Sequence, residues 1–207
     1  MSSLEILGFV LGTSFASGLN LYATVAGLGL LHRYHAIDLP ASLEVLAHPV
    51  VLVVAVSLYI VEFVADKIPY VDNVWDVVHT FIRPPAAAVL AYAAVADVPE
   101  IWRLVAALAA GSVALTSHGT KASARVAVNA SPEPVSNSIL SLGEDGLALG
   151  LAWMAAAHPV LTFGLVLVLL GLSAFLIFKL FGLVRRSLQQ LLARSPKKNF
   201  TTETRRT

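Results

Sequence analysis

Cysteine is absent from the 207 residues, and only 13% of them are charged. Without cysteine there is no disulfide framework, no thiolate nucleophile and no zinc-finger or iron–sulfur site. Charge this sparse, against about 25% in an average soluble domain, excludes both a soluble globular enzyme and a disordered chain. Apolar residues fill the place: 57% of the chain is hydrophobic and the mean hydropathy is +0.77. Several apolar runs reach the roughly 20 residues that carry a helix across a bilayer. The chain therefore reads as an integral membrane protein, with the lipid bilayer as its first partner. Nothing in it points to nucleic acid, and no cofactor or metal motif is present.

The net charge of +1 hides an asymmetry. Residues 1–178 hold six Lys or Arg against twelve Asp or Glu, whereas residues 179–207 hold eight against one. Basic segments stay on the cytoplasmic side of a membrane, so the C-terminus is expected inside the cell. Two regions follow: a transmembrane helical domain over 1–184 and a basic cytoplasmic tail over 185–207. Leu188, Leu191 and Leu192 recur at helical spacing in the tail, which suits a short amphipathic helix on the inner surface. Residues 195–207 have little to bury and read as disordered.

About six spans are expected, at Leu4–Leu31, Leu46–Ala65, Val74–Ala96, from Ile101 to Ser117 or beyond, Ser138–Ala157 and Pro159–Val184. The first is too long for a signal-peptide core and lacks a basic leader, so it reads as a retained helix. Six crossings put both termini on the cytoplasmic side. The fold class is thus an all-α transmembrane bundle with several helices interrupted or re-entrant near mid-membrane. Four or five full crossings plus re-entrant pieces is the competing arrangement.

Ionisable groups at membrane depth are costly and mark working sites. Four interruptions stand out. In the first span, Ser17 and Asn20 lie among small residues; these either pack helices closely or open the backbone into two half-helices whose free ends line a cavity. In the third, Asp76, His79 and Arg83 share one helical face before Pro84 and Pro85, where the helix should break. The same stretch also fits an interfacial helix lying flat with its charges in water. In the fourth, His118, Thr120 and Lys121 surround Gly119. In the fifth, Glu144 and Asp145 stand between Gly143 and Gly146, with Arg83, Lys121 and Arg125 as their obvious partners. The third and fifth spans are weakly alike, as paired broken helices of a transporter would be.

The strings Ser14–Thr24, Asp66–Asp76 and Ser117–Lys121 resemble a bacterial family of small polytopic membrane proteins, domain of unknown function 4126. The resemblance covers approximately Leu4–Val184. It implies a membrane location and adds no site or activity; the location expected is a bacterial inner membrane.

The leading functional expectation is a small transporter or channel for an anionic or lipid-linked solute. Glu144, Asp145 and Asp76 would bind a coupling proton or cation; Arg83 and Lys121 would balance them or meet an anionic substrate. Ser17, Asn20 and Thr120 would supply neutral contacts, and His79 and His118 would relay protons. Alternatives are an intramembrane enzyme acting on a lipid headgroup or phosphate, and a scaffold packing through seams such as Gly164–Gly171. A chain this small is expected to form a homo-oligomer.

Overall fold

A computed structural model of the chain describes residues 2–68, 70–129 and 134–194. Among them every regular element is helical: α1 (Ser3–Leu19), α2 (Leu21–Arg33), a 3-10 segment (Ala41–Ala47), α3 (Pro49–Ala65), α4 (Val71–His79), α5 (Arg83–Ala94), α6 (Glu100–Asn129), α7 (Pro134–Ala157) and α8 (Pro159–Arg194). Helices are the expected solution in hydrocarbon, because each one satisfies its own backbone polar groups. α6, α7 and α8 are each long and apolar enough to cross a membrane, and two bent pairs, the 3-10 segment with α3 and α4 with α5, bring the candidates to five.

The first expected span is folded in two. α1 starts on a capping box, in which the Ser2 hydroxyl accepts from the Glu5 amide and the Glu5 carboxylate accepts from the Ser2 amide. It stops at Asn20, whose backbone is extended (φ −151°, ψ 103°) and whose Oδ1 caps α2 by accepting from the Ala23 amide at 2.9 Å. Contacts on either side of this break show that α2 turns back. On α1, Gly12 lies against Ala155 of α7 and Thr162 of α8. At the break, Asn20 meets Asp145 of α7. On α2, Gly27 reaches Leu149 of α7, Gly29 reaches Leu46, and Arg33 donates to the Ala47 carbonyl. Along α7 the chain therefore descends from residue 155 to 145 and climbs again. α1 and α2 form a hairpin with its tip at Asn20.

Both arms of that hairpin start from the same end of the bundle. Glu5, Asp38, Leu39, Pro40, Ala157 and Pro159 gather there around a cavity of about 470 Å³. α3, α4 with α5, α6, α7 and α8 run from end to end. α8 begins beside Gly8 and reaches the opposite end, where Ile177 and Phe181 face Ala122 and Val126 of α6. The start of α1 and the last turns of α8 thus lie at opposite ends. An apolar core including Phe9, Phe15, Leu28, Leu46, Leu151 and Val166 fills the starting half. The polar side chains collect in the other half.

α4 reports its surroundings. Val74 and Val77 are 67% and 64% exposed, while Asp72 and Asp76 are 0% and 2% exposed. An interfacial helix with its charges in water would show the reverse, so the charges of α4 face protein and its apolar side faces out, as lipid requires. The break between α4 and α5 falls at Thr80–Ile82. It precedes Arg83 instead of following it, because Pro84 and Pro85 sit in the first turn of α5, where a missing amide hydrogen costs no helical bond. Two other expected breaks are absent. α6 passes through Gly119 and α7 through Gly143 and Gly146 without interruption, and no neighbouring atom approaches these glycines. Gly in a helix costs about 1 kcal/mol, too little to break a long span. The third and fifth spans therefore carry no paired breaks. α8 continues unbroken to Arg194, so the surface helix expected after Val184 is its extension; the disorder expected of 195–207 lies outside the described residues.

Without a hydrophobic drive between helices in lipid, close packing through small residues holds them together. A Cβ added to Gly8 would be driven into the Pro159 carbonyl. Gly8→Ala is expected to destabilise the detergent-solubilised protein by about 1–3 kcal/mol in thermal unfolding. A Cβ added to Gly164 or Gly171 would meet no neighbouring atom within 4 Å; Gly164→Ala should leave stability unchanged or raise it by up to about 1 kcal/mol.

Candidate functional site

Ending α1 at Asn20 leaves the last carbonyls of that helix without amide partners from a following turn, and a helix C-terminus carries partial negative charge. Cations meet it. Arg83 Nη1 donates to the Gly18 carbonyl at 3.0 Å and Lys121 Nζ to the Leu19 carbonyl at 3.1 Å. Gly18 permits this arrangement, since a Cβ there would collide with the Ala114 carbonyl and the Ser117 hydroxyl of α6. The Asn20 side chain serves both sides of the tip: its Oδ1 caps α2, and its Nδ2 donates to Asp145 Oδ1 at 2.8 Å.

From the tip the cluster extends across five further helices, α3 to α7. Arg83, on α5, donates through Nη2 to Glu62 of α3 at 2.5 Å. Lys121, on α6, pairs with Asp66 at 2.8 Å, Glu62 at 3.5 Å and Glu144 at 3.7 Å. Arg125, one turn on, holds Asp66 through both its carbonyl (2.8 Å) and its carboxylate (3.0 Å). It also pairs with Glu144 of α7 through Nη2 and, at 3.2 Å, through Nε. Asp72 and Asp76 of α4 lie 3.6 and 3.9 Å from its guanidinium. Asn137 Nδ2 donates to Asp72 at 3.2 Å. All these carboxylates and cations are buried, so the cluster is closed to solvent in this state.

Geometry fixes the tautomers of both histidines. Arg83 Nη1 lies 2.8 Å from His118 Nδ1, and a guanidinium only donates, so Nδ1 accepts and the ring proton sits on Nε2. That Nε2 faces the Asp76 carbonyl at 3.0 Å and the Thr80 hydroxyl at 2.9 Å. His79 has the other arrangement: its Nδ1 donates to the Trp75 carbonyl at 2.8 Å, and its Nε2 accepts from the Tyr22 hydroxyl at 3.2 Å. His79 therefore leans away from Arg83 toward the Tyr22 and Trp75 rings.

Of the sequence-predicted residues, the structure gathers Asn20, Asp76, Arg83, His118, Lys121, Glu144 and Asp145, with His79 at the margin. Ser17 is buried beside the tip, its hydroxyl without a partner. Thr120 does not join: it is half-buried and its hydroxyl donates back to the Thr116 carbonyl. The pairing of Arg83 with Glu144 or Asp145 is replaced by Glu62, because the hairpin tip lies between α5 and α7. Glu62, Asp66 and Asp72 enter as members that the reading of interruptions missed, and Arg125 is promoted from partner to hub. The signal was present. Glu62 and Asp66, Asp72 and Asp76, and Lys121 and Arg125 are three pairs at i, i+4, two acidic and one basic, each placing like charges on one helical face. Such pairs repel within their own helix, so each needs an opposite pair elsewhere. Among the described residues, no three His, Asp or Glu side chains converge as the ligands of a zinc site do.

The chain belongs to the family described as domain of unknown function (DUF4126), whose model matches residues 7–179. No curated protein and no solved structure matches it.

Proposed function

Taking that family membership together with the closed ionic cluster, we propose that the chain is a small membrane transporter that couples movement of its solute to a proton or small cation bound among these carboxylates. One observation carries the reading: the cluster has more acid than base. With Asp72 set aside, Glu62, Asp66, Asp76, Glu144 and Asp145 are five buried carboxylates facing three buried cations, Arg83, Lys121 and Arg125. Lys67, at the rim, gives its ammonium to the Phe63 carbonyl and Ser141. Nine buried side-chain atoms among the described residues have no hydrogen-bond partner, and seven are oxygens. An uncompensated charge in such a setting costs several kcal/mol, so protons or a cation complete the balance. The three cations are each engaged by carboxylates, which favours a proton or cation over the anionic solute as the species bound here.

Purified protein in liposomes with an internal pH indicator tests this. An imposed proton gradient should dissipate when one of sodium, potassium or pooled organic anions is supplied, and Glu62→Gln should reduce the rate to that of empty vesicles. Wild-type protein that moves neither protons nor these ions would refute it.

The folded-back first span supports a revised orientation in a bacterial inner membrane. Lys67, Lys121, Arg125 and the basic end of α8 share one end, which the positive-inside rule places in the cytoplasm. Five crossings then put the start of α1 outside, where six would have put it inside. The cysteine-free sequence makes the test clean. With a membrane-impermeant maleimide on intact cells, Ser3→Cys should label and Gln189→Cys should label only after permeabilisation. Equal labelling of the two would overturn this orientation.

A further inference from the structure

The cluster's carboxylates are not equivalent, and we propose that Asp76 is the one that takes up and releases the proton. Both of its carboxyl oxygens lack a hydrogen-bond partner, although the residue is only 2% exposed. Glu62, Asp66, Glu144 and Asp145 each accept at least one hydrogen bond from a side chain at 3.2 Å or closer. The cations nearest to Asp76 are Arg83 Nη1 at 3.8 Å and Arg125 Nε at 3.9 Å. Neither is available to it. Arg83 Nη1 already donates to the Gly18 carbonyl and His118 Nδ1, and Arg125 Nε donates to Glu144. A buried carboxylate without a hydrogen-bond donor keeps its charge only through attraction across 3.8 and 3.9 Å to cations engaged elsewhere, whereas its neutral acid leaves a smaller desolvation debt.

The charged and titratable groups around Asp76 come from every neighbouring helix. Arg83 faces it from α5, while Arg125, Lys121 and His118 face it from α6. Asp66 contributes from the end of α3, and Glu144 of α7 competes with it for Arg125. On α4 itself, Asp72 stands one turn before and His79 one turn after. The step is a simple exchange: an O–H bond forms on one Asp76 oxygen with a proton from water, and the same bond breaks on release. Loss of the carboxylate charge removes the longest ion pairs tying α4 to α5 and α6. The backbone carbonyl of Asp76, held by His118 Nε2 and lying just before the Thr80–Ile82 break, connects that change to the place where the helix bends.

The purpose of this site rests on the transport reading, but its detection does not. The experiment is an acid-minus-alkaline infrared difference spectrum of the purified wild-type protein. It should contain the carbonyl stretch of a protonated carboxylic acid in a dry site. The band should shift when aspartate is labelled with ¹³C at its carboxyl carbon, vanish in Asp76→Asn, and persist in Asp145→Asn and Glu144→Gln. No such band, a band that shifts only with labelled glutamate, or one that survives Asp76→Asn would overturn the assignment. Should Asp76→Asn fail to fold, Asp66→Asn, Asp72→Asn and Asp145→Asn in labelled protein decide the matter: loss of the band in any of them overturns it, and retention in all three leaves Asp76 as its source. A band at Asp76 in a protein that moves no ions would sink the transport reading and keep the site. Ion movement with the band on another residue would do the opposite.

Discussion

Arg125→Leu is expected to destabilise the protein more than any other single change in the cluster, by about 3–5 kcal/mol. The guanidinium holds the Asp66 carbonyl and carboxylate and Glu144 by hydrogen bonds, and lies near Asp72 and Asp76. Leucine would fill the space and leave those carboxylates to Lys121, which is already shared between Asp66, Glu62 and Glu144. A loss of that size approaches the entire stability of many domains, about 5–15 kcal/mol. Arg125→Lys should fall between, since one ammonium cannot reproduce a five-donor fork. Adding Glu144→Leu to Arg125→Leu should recover part of the loss, because the pair then disappears together, with a coupling of about 0.5–3 kcal/mol. Thermal unfolding in detergent measures these three variants, with Glu144→Leu alone to close the cycle. Arg125→Leu within about 0.5 kcal/mol of wild type would mean that the cluster contributes little to holding the helices.

Why some of this was legible and some not follows from what sequence records. Hydropathy records burial in lipid, and it located the spans because α3, α5 to α8 and the hairpin arms are apolar along their length. It does not record direction. Ser3 to Arg33 is long enough to cross, and only the extended backbone at Asn20, together with its side-chain cap on α2, turns the second half back. Spacing rules did identify Asp76, Arg83, Lys121 and the Glu144–Asp145 pair as charges needing partners. They could not rank the partners, since contacts between α3 and α6 or between α1 and α7 depend on the fold-back that hydropathy leaves out. Glycine misled in two places: Gly119 in α6 and Gly143 with Gly146 in α7 stand beside charge and suggested breaks, yet both helices run through them.

The inverted polarity of α4 links these levels. A helix with Asp72, Asp76 and His79 inward and Val74, Val77 and Val78 outward is stable only if the interior is more polar than the exterior. Lipid outside and a shared ionic cluster inside satisfy both faces at once. The hairpin supplies what no continuous span could: backbone carbonyls placed inside the bundle as acceptors for Arg83 and Lys121.

Exchanging the partners at the tip is expected to produce the second-largest effects. Asn20→Asp keeps the cap on α2, because aspartate and asparagine are equally good at that position. It removes the donor that Asp145 receives at 2.8 Å and sets two carboxylates against each other. Loss of a hydrogen bond to a charged group alone is worth about 1.5–3 kcal/mol, and the repulsion adds to it, so the melting point of Asn20→Asp should fall well below wild type. Asp145→Asn alone removes one carboxylate from an acid-rich cluster and should cost much less. Combining the two restores an amide facing a carboxylate with the roles reversed, so the double variant should be markedly more stable than Asn20→Asp. This recovery separates the contact from the fold-back, since the cap is present in all three proteins. If the double variant were as unstable as Asn20→Asp, the Asn20–Asp145 bond would not be what joins the hairpin tip to α7, and the tip would be held by Arg83 and Lys121 alone.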